Sequence, residues 1–162
     1  MWYVSQIGGA TTLHIENAQL PSVNLIIWGG DKAWRFLTKK GARRYLEIMA
    51  AQKRRTHLCP AKKKCRNGNL CKVCSCASAA LHSPGFFPDS TFLDLHGIDY
   101  FDIIQRAGDL VYVNAGIPYC VVNLNSNLAE SCNLLPRVML PSLGTDLLCA
   151  CHPDHGGRSL KD

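Results

Sequence analysis

His14 and Glu16, in the segment HIENAQLPSVNLIIWGGDKAW, are the residues of this chain best spaced for metal chemistry. On an extended strand, residues two apart point to the same face. That spacing sets an imidazole beside a carboxylate, two of the three ligands that a facial ferrous centre takes. A third ligand must come from elsewhere, and a second informative block, GDLVYVNAGIPYCVVNLNSNLAESCN, spans residues 108–133. The cysteines offer a different chemistry. Nine are present, five of them between Cys59 and Cys76, with six histidines spread along the chain. In an intracellular protein such clustering favours metal ligation over a disulfide framework. Cys59, Cys65, Cys71 and Cys74 could build a zinc knot, although their spacing is nonstandard.

The elements that must hold these residues are mainly strands. Residues 10–16 and 21–29 read as two of them, the second an almost continuous apolar run ended by glycines, as in a strand buried on both faces. Residues 32–38 read as a third, joined through the Gly29-Gly30-Asp31 turn. Ala42, Tyr45, Leu46, Met49 and Ala50 then repeat at helical spacing between basic positions. Residues 57–75 are irregular, with Pro60, Gly68 and Asn69 as breakers. A short helix is expected at Ser90 to Leu95; Tyr100 to Gln105 leads into strands at 109–114, 119–124 and 128–133. The fold class implied is mainly β, a cupin-like jelly roll interrupted by a helix and an insert.

At 162 residues the chain is one domain with room for a real core. Its N-terminus, MWYVSQIGGATTLHIEN, has neither a basic n-region nor an apolar h-region, and no stretch approaches the ~18 apolar residues of a membrane span. The expectation is a soluble intracellular protein without a membrane partner. The net charge of +6 hides an asymmetry. Residues 32–72 hold 14 of the 18 Lys and Arg and one acid, Glu47, for a local +13, and the remainder carries −7. The basic stretch reads as a solvated helix face with a loop, as a nuclear import signal (KKKCR, QKRR), or as a contact for nucleic acid phosphates. No aromatic residue interleaves between Cys59 and Cys76, which weighs against base stacking.

Together, HIENAQLPSVNLIIWGGDKAW and QRAGDLVYVNAGIPYCVVNLNSNLAESCN resemble the JmjC-domain oxygenases, particularly the histone lysine demethylases with an added zinc site. The likeness runs from about Tyr3 to Cys151 and is weakest across the Cys-rich insert at about 52–75. It implies a JmjC domain over 1–151, N-terminally incomplete because the chain begins almost on the first iron-ligand strand, followed by a tail at 152–162. The family's cofactors, Fe(II) and 2-oxoglutarate, are implied with it, as are demethylation of a methylated lysine on a histone tail and a nuclear location.

Residue by residue, the resemblance puts the first two iron ligands at His14 and Glu16 and the third, a histidine in the family, at Tyr119. A neutral phenol is a poor ligand for Fe(II), and tyrosine titrates near pH ~10. Cys120 cannot replace it, because neighbouring strand residues face opposite ways. Either Tyr119 closes a weakened triad or the site lacks a full set of protein ligands. Co-substrate positions fall on Asn24, Lys32 and Trp34; a desolvated carboxylate needs a cation and hydrogen-bond donors. Tyr3, Glu16, Ser131 and Asn133 match the methylammonium pocket, where polar oxygens accept weak C–H···O contacts. Cys76, His82, Cys149 and Cys151 match the family's closed Cys₃His zinc set, with Cys71 or Cys74 as register alternatives to Cys76. The alternatives to an oxygenase are a catalytically silent, zinc-stabilised module that binds histone tails and a truncated gene product.

Overall fold

The computed structural model describes residues 1–16, 19–56 and 87–138. Eight strands and two helices follow in chain order: β1 (Trp2–Ser5), β2 (Ala10–His14), β3 (Ser22–Gly29), β4 (Lys32–Leu37), α1 (Lys39–Thr56), α2 (Ser90–Leu95), β5 (Tyr100–Gln105), β6 (Leu110–Val113), β7 (Tyr119–Asn123) and β8 (Asn127–Asn133). They form two antiparallel four-stranded sheets, ordered β1-β8-β3-β6 and β2-β7-β4-β5. Consecutive strands alternate between the two facing sheets except at β4 and β5, which pair in one sheet, and this is the jelly-roll arrangement expected from the sequence. β1 is a strand that the sequence did not disclose; it lies upstream of β2 and pairs Tyr3 with Ala129.

β3 departs from the expected strand buried on both faces. Ser22, Asn24 and Ile26 are buried, whereas Ile27 is 42% and Trp28 72% exposed. Polar side chains thus face the barrel interior, and part of the apolar run faces out. β3 and β4 are joined by the predicted glycine turn, where Gly29 adopts φ 99° and a Cβ on Gly30 would lie 2.2 Å from Asn125 Cβ. Only glycine accepts both the positive φ and the close approach.

Two apolar clusters divide the core. Trp34, Phe36, Val111, Val113, Tyr119 and Val121 fill the space between the sheets. Leu13, Leu37, Tyr45, Leu93, Ile98 and Cys120 pack on the outer side of the second sheet, beneath the helices. Tyr119 and Cys120 therefore point to opposite faces of β7, as strand pleating requires. Helix α1 starts where Thr38 Oγ1 accepts the Gly41 amide at 3.0 Å, and its Ala42, Leu46, Ile48 and Met49 close on the second cluster. A side chain at Gly41 would meet the Asp99 carbonyl at 1.9 Å, so the helix is docked at glycine distance. Asp89 caps α2 through the Phe92 amide at 2.7 Å. Arg35 ties the layers together: both Asp102 oxygens accept from it, at 2.8 and 2.7 Å, and the Pro88 carbonyl accepts at 3.0 Å. No helix among the described residues is long and apolar enough to cross a membrane.

Candidate functional site

The second sheet and the mouth of the barrel build the site from four strands. β2 carries a register shift between Thr11 and His14, after which His14 stands opposite Tyr119. Leu13 and Ile15 pack against the helix layer, which leaves His14 and Glu16 to face the other way. Glu16 lies just past the end of β2 rather than on the strand expected for 10–16. Across the sheet, Phe36 pairs with Tyr119, Trp34 with Val121 and Lys32 with Asn123, so the inward positions of β4 and β7 run side by side.

Tyr3, His14, Glu16 and Tyr119 border one cavity of about 270 Å³, and Asn24, Lys32, Trp34 and Ser131 border the same space. Asn133 joins from the rim, donating from Nδ2 to Glu16 Oε2 at 3.0 Å. Sequence positions far apart in the chain are thus brought together. A larger cavity of about 410 Å³ lies between the open edges of β5 and β6, lined by Phe36, Phe101, Leu110 and Tyr112, and touches none of these residues. Cys76, His82, Cys149 and Cys151, and the possible further knot of Cys59, Cys65, Cys71 and Cys74, lie outside the described residues.

Hydrogen bonding defines the two ends of the smaller cavity. At one end, Glu16 Oε1 accepts from the Tyr119 hydroxyl and from Ser22 Oγ, the latter at 3.1 Å. The His14 ring lies 4.5 Å from the Tyr119 ring, and its Nδ1 meets the Thr12 carbonyl at 2.8 Å. Burial is the first cause that pushes the Tyr119 phenol far above its ordinary range; donation to Glu16 and the proximity of its charge add to it. At the other end Lys32 is only 5% exposed, and burial lowers its pKa. Among the described residues no carboxylate forms an ion pair with it. Asn24, 7% exposed, has its side-chain Oδ1 buried without a hydrogen-bond partner.

Two residues of the site escaped the sequence reading. Ser22 lies two positions before Asn24 on β3, so period-two alternation alone could have placed it on the same inner face. Gln105 is fully buried; it accepts from Trp34 Nε1 at 2.8 Å and donates to the carbonyls of Asn24 and Asp109 at 2.9 and 3.0 Å. Its role becomes visible only once β5 is paired with β4, which sets Gln105 opposite Lys32.

The fold and the polar cavity inside it define a cupin-like jelly roll. A family model described as JmjC domain, hydroxylase, matches residues 1–134. The chain belongs to the JmjC domain family, whose type is the Fe(II)- and 2-oxoglutarate-dependent oxygenase. No curated protein matches the chain.

The residues present fit the two implied groups unequally. A buried ammonium without an acidic partner among the described residues suits the far carboxylate of 2-oxoglutarate, to which Asn24, on the same cavity, could donate only from Nδ2. The donor set for iron does not fit. His14 and Glu16 would supply two ligands, but the position expected to supply the third holds a neutral phenol whose proton is engaged by Glu16. Among the described residues no group of three or more His, Cys, Asp and Glu side chains is gathered around a point.

Proposed function

We propose that this chain is a JmjC domain related to the histone lysine demethylases and impaired as an oxygenase by Tyr119. The observation that carries this reading is the hydrogen bond from the Tyr119 hydroxyl to the Glu16 carboxylate. It ties one of the two remaining iron ligands to the residue that replaces the third. Kinship with the demethylases is supported by Tyr3, Glu16, Ser131 and Asn133, which gather at the cavity and its rim. A histone tail bearing a methylated lysine is the proposed partner, and a net charge of −7 outside residues 32–72 suits such a basic segment. The proposed location is the nucleus.

Iron binding and turnover test the reading. The 162-residue protein should show weak or no Fe(II)-dependent conversion of 2-oxoglutarate to succinate. Tyr119→His places a second neutral imidazole in the set and should raise Fe(II) affinity by about one order of magnitude or more, within the range that one good metal ligand contributes. Calorimetric titration with ferrous iron under argon reads the affinity; succinate and formaldehyde release read the turnover. Robust demethylation by the unmodified chain, equal to that of the histidine variant, would show that the third ligand was overvalued.

A further inference from the structure

The polar groups of the cavity are sorted by sign. The Thr12 carbonyl can only accept, so His14 Nδ1 carries the proton in the neutral imidazole, and Nε2 remains an acceptor. The hydroxyl protons of Tyr119 and Ser22 are both given to Glu16 Oε1, and that of Ser131 is given to the Val23 carbonyl. What His14, Glu16 and Tyr119 still have to offer is the Nε2 lone pair, the Tyr119 oxygen and the capacity of Glu16 Oε2 beyond Asn133, all of them acceptors beside a negative charge, while the Tyr3 hydroxyl on the same cavity can accept or donate. The opposite end is the reverse. Lys32 has three donors and no carboxylate partner among the described residues, and Asn24, which borders the same cavity, can donate from its amide Nδ2.

The two ends are well separated. Lys32 is four residues along β4 from Phe36, the partner of Tyr119, a backbone span of about 13 Å before the side chains lean inward. The volume of about 270 Å³ lies at the small end for a ligand pocket. A compact ligand held here meets a donor-rich cationic end and an acceptor-rich anionic end. A dicarboxylate satisfies the first and is repelled at the second, unless a cation intervenes. An ammonium satisfies the second directly, since it brings three donors to three acceptors.

We propose that this cavity binds a small ω-amino carboxylate without a metal, its carboxylate on Lys32 and Asn24 and its ammonium among Glu16, His14 and Tyr119. The inference rests on the reading above that the metal centre is disabled, and it adds a ligand class of opposite charge at that centre. Tyr119 then acts as a fixed acceptor rather than as a failed metal ligand. Glu16 sets the selectivity for the ammonium, and Lys32 supplies the anchor.

Calorimetric titration of the full 162-residue protein in EDTA tests this, with 4-aminobutyrate, 5-aminopentanoate, glutarate and 2-oxoglutarate as probes. One of the two amino carboxylates should saturate the protein and bind at least about tenfold tighter than glutarate, a difference of the size that a charge mismatch imposes. Lys32→Met should abolish that binding. Glu16→Gln should weaken the amino carboxylate and strengthen glutarate, inverting the preference, with circular dichroism melts checking that both variants are folded. The proposal is overturned if glutarate or 2-oxoglutarate binds as tightly in EDTA, if neither amino carboxylate binds, or if a folded Lys32→Met variant binds as before. Absent binding together with absent turnover removes this proposal alone. Binding of 2-oxoglutarate that appears only with added Fe(II), accompanied by succinate release, removes the impaired-oxygenase reading as well.

Discussion

Gln105 is the residue on which the inner polar layer depends. It satisfies an indole N–H and two backbone carbonyls from a fully buried position. Gln105→Leu keeps the volume and leaves the Trp34 donor and the Asn24 carbonyl without their side-chain partner. A loss of about 2–4 kcal/mol is expected from groups left unsatisfied in the core, read by urea denaturation. Ser22→Ala removes one of the three donors on Glu16 and should cost less, about 1 kcal/mol. The difference between these residues and those found from sequence is physical. His14, Glu16, Asn24, Lys32 and Tyr119 sit in blocks whose spacing is characteristic of a family, so each could be located along the chain. The partners that hold them act across strands 71 and 81 residues apart in sequence, and no local pattern reports such pairing.

At the scale of elements, the helix layer makes its own prediction. Tyr45 and Cys120 are buried in the cluster between α1 and the second sheet, and burial pushes both groups up to about 12, from ordinary values of 10.0 and 9.0. A raised folded pKa on a group that is neutral when protonated means that the fold holds the proton more tightly than the unfolded chain does. Their contribution is therefore fully present below pH 9.0 and is lost as pH rises toward about 12. Melting temperatures measured between about pH 8 and pH 11 should fall steadily. Cys120→Ala should lower stability at neutral pH through the lost sulfur while flattening the alkaline decline. An equally steep decline in that variant would place the titration elsewhere.

Elements were legible wherever burial imposes a period. The helix at Ala42 to Ala50 was read from its apolar spacing, and α1 extends it on both sides to Lys39–Thr56. β3 was located but its faces were misjudged, because an apolar run reads as doubly buried whether or not another layer covers its outer side. β1 has no sequence signature because its four residues are mostly exposed, so they show no alternation, and its strand partner among the described residues, β8, is more than a hundred positions away in sequence. The bulge that turns His14 toward Tyr119 has no sequence signature here, since neither Thr11 nor Thr12 is a glycine that would mark one.

For the whole molecule, charge is divided between a basic segment and an acidic remainder. Residues 32–72 carry +13, and among the described Lys and Arg side chains Lys32 alone borders the cavity. The chain should be retained on a polyanion such as heparin or duplex DNA, with retention falling steeply as salt rises. Replacing Lys62, Lys63, Lys64 and Arg66 by glutamine should abolish much of that retention, whereas Lys32→Met should leave it unchanged. Equal retention after the quadruple change would assign the basic segment to solvation alone. The proposed zinc set gives a second test at this scale, because it would join residues from the middle of the chain to residues near its C-terminal end. Metal analysis should find about one Zn per chain at Cys76, His82, Cys149 and Cys151, and Cys149→Ser should release it and lower the melting temperature. Full zinc retention in that variant would sink the assignment.

The tilted packing of the Tyr119 ring at 4.5 Å from His14, inside a wall of Trp34 and Phe36, also bears on how this site could change over generations. Tyrosine and histidine codons differ only in their first base, by exchange of one pyrimidine for the other. The replacement ring is smaller and flat like the one it displaces, and Ser22 and Asn133 would still hold Glu16 in place when the phenol is gone. If His14, Glu16 and position 119 are the iron-ligand positions, as proposed above, a population carrying this gene stands a single point mutation from a three-ligand centre. On the proposed reading the change is reversible, and selection for either state would find the other within reach.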